Sequence, residues 1–443
     1  MKKILALVLA LTICLGTFAA CGKKTPASSA PSAAPSAAKS EATDKAVELR
    51  ISWWGSEERH SKTLEVLDMY TAEHPNVTFV PEYSGYSGYQ DKLIAQITAG
   101  NAPDIFSSVS EGIPQQMASD ALYDLTGIVD VSDHNPMVVE SCSYDGKLVS
   151  VPLGINAPTY TYNKRILDEI GVELPKENYT WDDFKEKCIE VYEKSNGKYY
   201  GTVDSSMAYE QFNFYGYTAL QRPEPYPYDN EKMYVTEEDV GAYYQYWTDM
   251  RDKGGCAPPD ISATAFDNNL VGRGIAVFTP VWSATFSQFQ NETEDELGMI
   301  LMPVGPNGEH AETSRPGVTM SIAKTSPNAE EAAKFIDWFV NSEEAALTLG
   351  TCRGVFSGDK QRKALMASDA LSDIDQKVFT ATNAYAANEM KLFYPGPDRI
   401  SEIFGGNGDL VERTGQEIGF GKLSVQDGAK KFMAEANKIL GVK

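Results

Sequence analysis

Read as apolar and polar positions, the chain changes character at Val47. Val47, Leu49, Ile51 and Trp53 alternate with Glu48, Arg50 and Ser52, the period-two pattern of a half-buried strand. Leu64, Leu67 and Tyr70 then recur at helical spacing, which predicts a helix over 58–73. A strand is expected over 76–81, a helix over 89–99 closed by Gly100, and a short strand over 104–108. Strand, helix, strand, helix, strand within about sixty residues implies parallel pairing through right-handed crossovers.

The mixed pattern continues. Thr180 with Asp183 reads as a capping box, with Phe184, Cys188 and Val191 as the apolar stripe behind it. Tyr243, Trp247 and Met250 line another helix, stopped by Gly254 and Gly255, and 274–278 reads as a strand with Trp282 just past it. Ser326-Pro327 opens a helix carrying Ala332, Phe335, Ile336 and Phe339 inward, with Glu330 and Glu331 suited to its positive end. Ser424 and Asp427 cap the last helix, whose apolar face includes Phe432, Ala436 and Ile439. There is no internal repeat and no low-complexity linker after Val47. Two α/β lobes sharing several chain crossings are therefore expected, rather than independent domains.

Ahead of Val47 the pattern is different. Lys2 and Lys3 precede an apolar run over 4–15, followed by Thr17, Ala19, Ala20 and Cys21. The run is shorter than the roughly 20 residues of a membrane span. Small residues before Cys21 resemble the bacterial lipobox, with Phe18 where leucine is usual, and imply lipidation of Cys21. Residues 27–38 read ASSAPSAAPSAA, which has nothing to bury and is expected to be a flexible tether. The reading is a signal peptide over 1–20, a lipidated cysteine and tether over 21–46, and a body held on the extracellular side of a bacterial cell membrane.

Composition narrows the function classes. The 443 residues carry 62 acids against 39 bases, a formal charge of -23, which phosphate backbones repel, so nucleic acid is excluded as a partner. Six cysteines and four histidines are too few and too scattered for a disulfide framework or a metal scaffold, and no metal or cofactor is implied. Cys142, Cys188, Cys256 and Cys352 give no specific bridge, and Cys188 on a helical apolar face is expected to pack reduced. No G-x-S-x-G occurs, and Ser321 to Lys324 matches S-x-x-K without its S-D-N partner, inside an apparent strand. These features argue against an enzyme.

In open parallel sheets, ligands bind beyond the carboxyl ends of the strands. That rule selects Trp53 to Glu57, Tyr83 to Tyr86, and Ser107-Ser108 with Glu111. Rings, hydroxyls and carboxylates around glycines suit a neutral polyhydroxylated ligand, whose C–H faces stack on aromatics while its hydroxyls are hydrogen-bonded. The competing reading is that the same rings plug the core. Further along, Tyr209, Phe212, Phe214, Tyr215 and Tyr217 crowd one stretch.

The ordered phrases WWGSEE, NAPDIFSS, VPLGINAPTYTYNKRILDEIGV, TWDDF, GRGIAVFTPVWS, SIAKTSPNAEEAAKFIDWFVNSEEA, RGVFSG and GKLSVQDGAKKF cover essentially all of 47–443. Together they resemble the extracellular solute-binding proteins of ABC importers, in the carbohydrate-binding group typified by maltose-binding protein. The resemblance implies a type II periplasmic-binding-protein-like fold, two α/β lobes with a hinge and an interlobe cleft. Lobe one would comprise 47–153 plus 320–353 and lobe two 154–319 plus 354–443. It places Trp54, Ser56 and Glu57 in the first binding loop, Ser108 and Glu111 in the loop after β-strand PDIF, and Asn156 at a polar hinge contact. Tyr83 and Tyr86 join these from the strand-end rule. In lobe two it assigns aromatic contacts to Tyr209 and Phe212, stacking to Trp282, and looser positions to Asp398 and Phe404. The implied partners are a sugar or oligosaccharide and ABC permease subunits, for a lipid-anchored monomer without catalysis. Two readings compete: the same fold holding a cationic ligand or peptide, and a secreted glycoside hydrolase, since paired carboxylates and rings also build such clefts.

Overall fold

The alternation that begins at Val47 becomes an inner strand of a five-stranded sheet. The computed structural model describes residues 45–109, 112–222, 234–263, 268–308, 315–369, 371–386, 400–405 and 408–441. The leader, Cys21 and most of the tether lie outside the described residues. The strands are β1 (Val47–Trp54), β2 (Val77–Ser84), β3 (Ile105–Ser108), β4 (Ser143–Tyr144), β5 (Lys147–Leu148), β6 (Val151–Asn156), β7 (Pro158–Asn163), β8 (Tyr200–Thr202), β9 (Ala276–Trp282), β10 (Leu297–Leu301) and β11 (Arg315–Ile322). They form one sheet in the order β2-β1-β3-β11-β6, a second in the order β10-β7-β9-β8, and a small β4-β5 pair.

β1 pairs in parallel with both β2 and β3, as the repeated strand–helix pattern requires. β11 returns antiparallel between β3 and β6. β2 runs on to Ser84 instead of stopping at Pro81. The missing N–H of Pro81 is tolerated because β2 is the sheet's edge. Each sheet has its own core. Leu49, Ile51, Trp53 and Phe106 pack with Phe335, Ile336 and Phe339 of the helix Ala329–Asn341. Tyr160, Phe184, Tyr243, Trp247, Phe278 and Phe432 fill the second.

Local signals fix the helices that cover these cores. The Thr180 hydroxyl accepts from the Asp183 N–H at 3.2 Å, and the Asp183 carboxylate accepts from the Thr180 N–H at 2.8 Å. This closes both ends of the capping box on the helix Trp181–Lys194 and buries Phe184, Cys188 and Val191 beneath it. Ser424 likewise accepts from the Asp427 N–H at 3.0 Å to start Val425–Leu440. The helix expected to open at Ser326-Pro327 begins at Ala329, because the Ser326 hydroxyl is turned to Asp104 and to the Asn328 N–H.

The chain passes between the sheets at three places, each displaced from the sequence-based boundary. β6 stays in the first sheet to Asn156 and β7 starts the second at Pro158, so the expected break after 153 falls inside a strand. The break expected at 319/320 falls inside β11 for the same reason. After 353, the helix Asp359–Ala367 remains on the first-sheet side. There the Gln361 amide donates to Ser342 O at 3.1 Å and the Asp359 N–H to Asp133 O at 3.1 Å. The chain joins the second side at the helix Asp373–Ala386, where Lys377 donates to Leu297 O at 2.9 Å. The four described cysteines are buried and unpaired. No described helix is long and apolar enough to cross a membrane.

Candidate functional site

Strand alternation decides which rings share a wall. Trp54 ends β1 with 7% of its surface exposed, its ring 5.6 Å from Tyr86 and 5.1 Å from Tyr89. The Tyr89 hydroxyl donates to Ser107 O at 3.0 Å, which ties this wall to β3. Trp53, one residue earlier, faces the other way and donates its indole N–H to His60 Nδ1 at 3.1 Å. Tyr83 is in register with Trp53 and covers that pair, 4.4 Å from His60 and 5.0 Å from Trp53. Tyr83 thus lies on the opposite face from Trp54 and Tyr86, and the expected grouping of all three does not form. Burial lowers the His60 pKa and favours the neutral ring that accepts this bond.

The polar residues of this side have local partners. Ser56 is the N-cap of the helix Glu57–Glu73, its hydroxyl accepting from the Arg59 N–H at 3.4 Å, while Glu57 stands exposed in the first turn. Ser108 is fully buried, not at the surface as expected of a contact, and its hydroxyl accepts from Gln116 Nε2 at 2.8 Å. Gln116, itself buried, keeps its Oε1 without a hydrogen-bond partner. Glu111 and Asp398 lie outside the described residues. Arg59 is occupied with two carbonyls, Cys352 O at 2.8 Å and Trp54 O at 3.1 Å. Arg353 is 1% exposed and donates to the Thr63 hydroxyl at 2.8 Å, and burial lowers its pKa to about 10.

Between the sheets, Asn156 closes β6 where three segments meet. A β-carbon on Gly317 of β11 would come within 1.9 Å of its amide nitrogen, and one on Gly354 within 2.2 Å of its Oδ1. Gly354 also has a φ of +98°, so both chemistry and backbone require glycine there. The amide is 7% exposed, enclosed by backbone, and its Oδ1 has no hydrogen-bond partner.

The second wall comes from the helix Tyr209–Thr218 and the end of β9. Trp282 is the last residue of β9, not a residue beyond it, and stands half-buried with its ring 6.4 Å from Phe214, edge to face. Tyr209 is half-buried at the first turn of its helix. Phe212 and Phe404 are not on this wall. They pack in the second core, 5.6 Å apart, with Phe432 against both. The Phe212 ring packs inward, 5.0 Å from Tyr243.

Glu210, which the sequence reading passed over, completes this wall. Its carboxyl takes hydrogen bonds from Tyr209 and Trp282, yet burial, with Asp409 adding to it, pushes its pKa up to about 7. Asp409 is buried at the N-cap of the helix Leu410–Gly419, accepting from the Glu412 N–H at 2.7 Å. An acid inside the aromatic run YEQF was the available signal. Burial raises the Tyr209 hydroxyl well above its usual range, with Glu210 and Tyr86 contributing. Tyr86 comes from the loop after β2, so the two walls stand within electrostatic range of each other. Asn291 also reaches across, donating to Glu58 at 3.3 Å. Among the described residues no group of three or more His, Cys, Asp or Glu could hold a metal ion.

Residues 65–373 match the family model described as bacterial extracellular solute-binding protein. The chain belongs to that family. Among curated relatives of this solute-binding protein, the melibiose/raffinose/stachyose-binding protein MelE of Bacillus subtilis is 22% identical over 387 residues, covering 84% of each chain. A periplasmic solute-binding protein from Pectobacterium atrosepticum superposes with a TM-score of 0.78 at 22% identity, covering 89% of this chain and 98% of that one. A periplasmic oligogalacturonide-binding protein from Yersinia enterocolitica, in complex with saturated digalacturonic acid, gives 0.76 at 23% identity, covering 89% and 100%. These structural likenesses establish the fold, the two-lobe α/β architecture of periplasmic binding proteins.

Proposed function

We propose that this solute-binding protein captures a sugar or oligosaccharide between its lobes and delivers it to the permease of an ABC importer, without catalysing a reaction. The observation that carries the reading is the pair of aromatic walls, Trp54 with Tyr86 on one sheet and Tyr209 with Trp282 on the other, with Tyr86 in range of Tyr209. Flat rings on opposed lobes suit the C–H faces of a pyranose, and Glu210 accepts from its hydroxyls. Relatives named for melibiose, raffinose and stachyose, and for arabinooligosaccharide in Halalkalibacterium halodurans, support the class of ligand.

Lobe one is assigned 47–156 with 315–367, and lobe two 158–308 with 373–441, following the strands and helices instead of the sequence-based boundaries. Ligand contacts with both lobes favour the closed arrangement by differential affinity. Trp54, Tyr86, Tyr209, Glu210 and Trp282 are the proposed ligand wall, with Ser56 and Glu57 at its rim and Asn156 at the hinge; Glu111 stays a proposed contact. Cys21 is the proposed lipidation site, which holds a monomeric body at the outer face of the membrane by its tether. Glu210 beside Asp409 favours one second reading, a cationic solute such as a polyamine.

A thermal-shift screen of neutral oligosaccharides, polyamines and short peptides tests the assignment. A ligand at 100 times its dissociation constant stabilises the native state by about 2.7 kcal/mol. Stabilisation by polyamines or peptides alone would overturn the sugar reading, and turnover of a chromogenic glycoside would overturn the binding-only reading.

A further inference from the structure

Behind Trp282 runs a chain of buried hydroxyls that is not part of the ligand wall. Trp282 ends β9 opposite Pro158 of β7, and the backbone turns at once into a single 3-10 turn, Ser283–Thr285. The Ser283 N–H donates to Ala157 O at 2.8 Å, and the Ala157 N–H donates to Ser283 Oγ at 3.1 Å. Ala157 stands between β6 and β7, so this exchange ties the residue after Trp282 to the first crossing between the sheets. The third crossing runs beside it, with Ile155 and Val355 exchanging backbone bonds at 2.6 and 2.9 Å.

The Ser283 hydroxyl is in turn 3.0 Å from Thr382 Oγ1, on the helix Asp373–Ala386. Proton counting gives the direction of that bond. Thr382 donates its single hydroxyl proton to Val378 O at 2.8 Å, so toward Ser283 it accepts, and Ser283 donates. A one-way relay results, from the Ala157 N–H through Ser283 and Thr382 to Val378 O. Ala157 and Ser283 are fully buried and Thr382 is 2% exposed, so bulk water does not replace a lost member. The helix that carries Thr382 is itself held, because Val378 and Phe379 pack with Phe286, Phe289 and Val355.

We infer that Ser283 and Thr382 are positioning residues for the ring of Trp282, holding it in a fixed setting against the crossing at Ala157. Their effect on binding rests on the sugar reading of Trp282, whereas their effect on the ring does not. Both are too deeply buried to touch a ligand, so they act through the indole. Without the Thr382 hydroxyl the Ser283 proton loses its acceptor, and the turn that directs Trp282 loses its fixed point.

The test uses the full chain labelled with 5-fluorotryptophan, whose six indoles give fluorine NMR signals. Trp282→Phe assigns the signal of interest. Thr382→Val is expected to shift or broaden the Trp282 signal more than any other, and Thr382→Ser, which keeps the hydroxyl, is expected to restore it. Ser283→Ala breaks the relay at its other member and is expected to give the same pattern, which covers a Thr382→Val chain that fails to fold. In calorimetric titration with raffinose, Thr382→Val is expected to weaken binding about two- to tenfold, the worth of one hydrogen bond, and Thr382→Ser to bind as the wild type does. A Trp282 signal unmoved by both relay variants, or a moved signal with unchanged raffinose affinity, would overturn the assignment. Failure of the wild type to bind raffinose or any sugar of the wider screen would instead overturn the sugar reading, while the fluorine spectra still decide what holds the ring.

Discussion

The two aromatic walls differ in how they are held. On the first sheet, Trp54 and Tyr89 are almost wholly buried, Tyr89 is bonded to β3, and Ser108 is turned inward to Gln116. On the second, Tyr209, Glu210 and Trp282 are half-buried, and the carboxyl among them titrates near neutrality. The first wall is an outgrowth of its core, whereas the second is a layer laid over one. Substitutions in the first are therefore expected to act on stability as well as binding, and those in the second on binding alone.

Trp54→Ala against Trp282→Ala is the strongest test of that contrast. Loss of the buried ring at 54 is expected to cost about 3–5 kcal/mol of stability, measured by denaturant unfolding. Trp282→Ala is expected to leave unfolding nearly unchanged and to weaken ligand binding by about 2 kcal/mol or more, read by titration. A large stability loss at 282 would make that ring core and erase the distinction.

The crossing between the walls gives the next effect. Gly317→Ala places a methyl group 1.9 Å from the Asn156 amide, and a loss of about 1–3 kcal/mol is expected. Adding Asn156→Ala removes the clashing amide, so the pair is expected to be less destabilised than the sum of its parts. A double-mutant cycle by urea unfolding measures this, and strict additivity would show that the two do not press on each other.

Tyr89→Phe removes the hydroxyl's bonds with Ser107 O and Ser52 and is expected to cost about 1 kcal/mol by urea unfolding.

The last effect is a pH dependence. Glu210 in the folded protein has a pKa of about 7, above the ordinary 4.5. Between these values the native state keeps a proton that the unfolded chain has released, so this group's contribution to stability falls as pH rises through the interval. Melting temperatures between about pH 5 and pH 8 are expected to decline more steeply for the wild type than for E210Q. A steeper decline in the variant would reverse the sign.

Much of this fold was legible because short-range rules set it. The alternation in 47–53, the Thr180–Asp183 box and the Ser424 cap each depend on neighbours within a few residues, and each appears as expected. The site was legible by segment and less so by side chain. The strand-end rule points to the segments that carry Trp54, Tyr86 and Trp282, but it has no sense of which face a residue takes, so Tyr83 was grouped with the wrong tryptophan. Phe212 and Phe404 read as contacts because aromatic residues near a cleft and in a core look alike in sequence, whereas long-range packing places both against Phe432. Glu210 was missed because its environment comes from Trp282 and Asp409, both distant along the chain. The crossings between the sheets were not legible, because they are set by where long-range strand pairing ends, at Asn156 and Arg315.

The four enclosed sulfhydryls have a consequence for handling. Burial pushes Cys142 up to about 12 and raises Cys188, Cys256 and Cys352 as well, so little thiolate exists to react once the chain has folded. The body tolerates an oxidising milieu by sealing its sulfur away instead of cross-linking it. Its vulnerable moment is the interval before burial, when oxidant can scramble exposed thiols, and refolding yields are expected to depend on reductant even though the finished protein needs none.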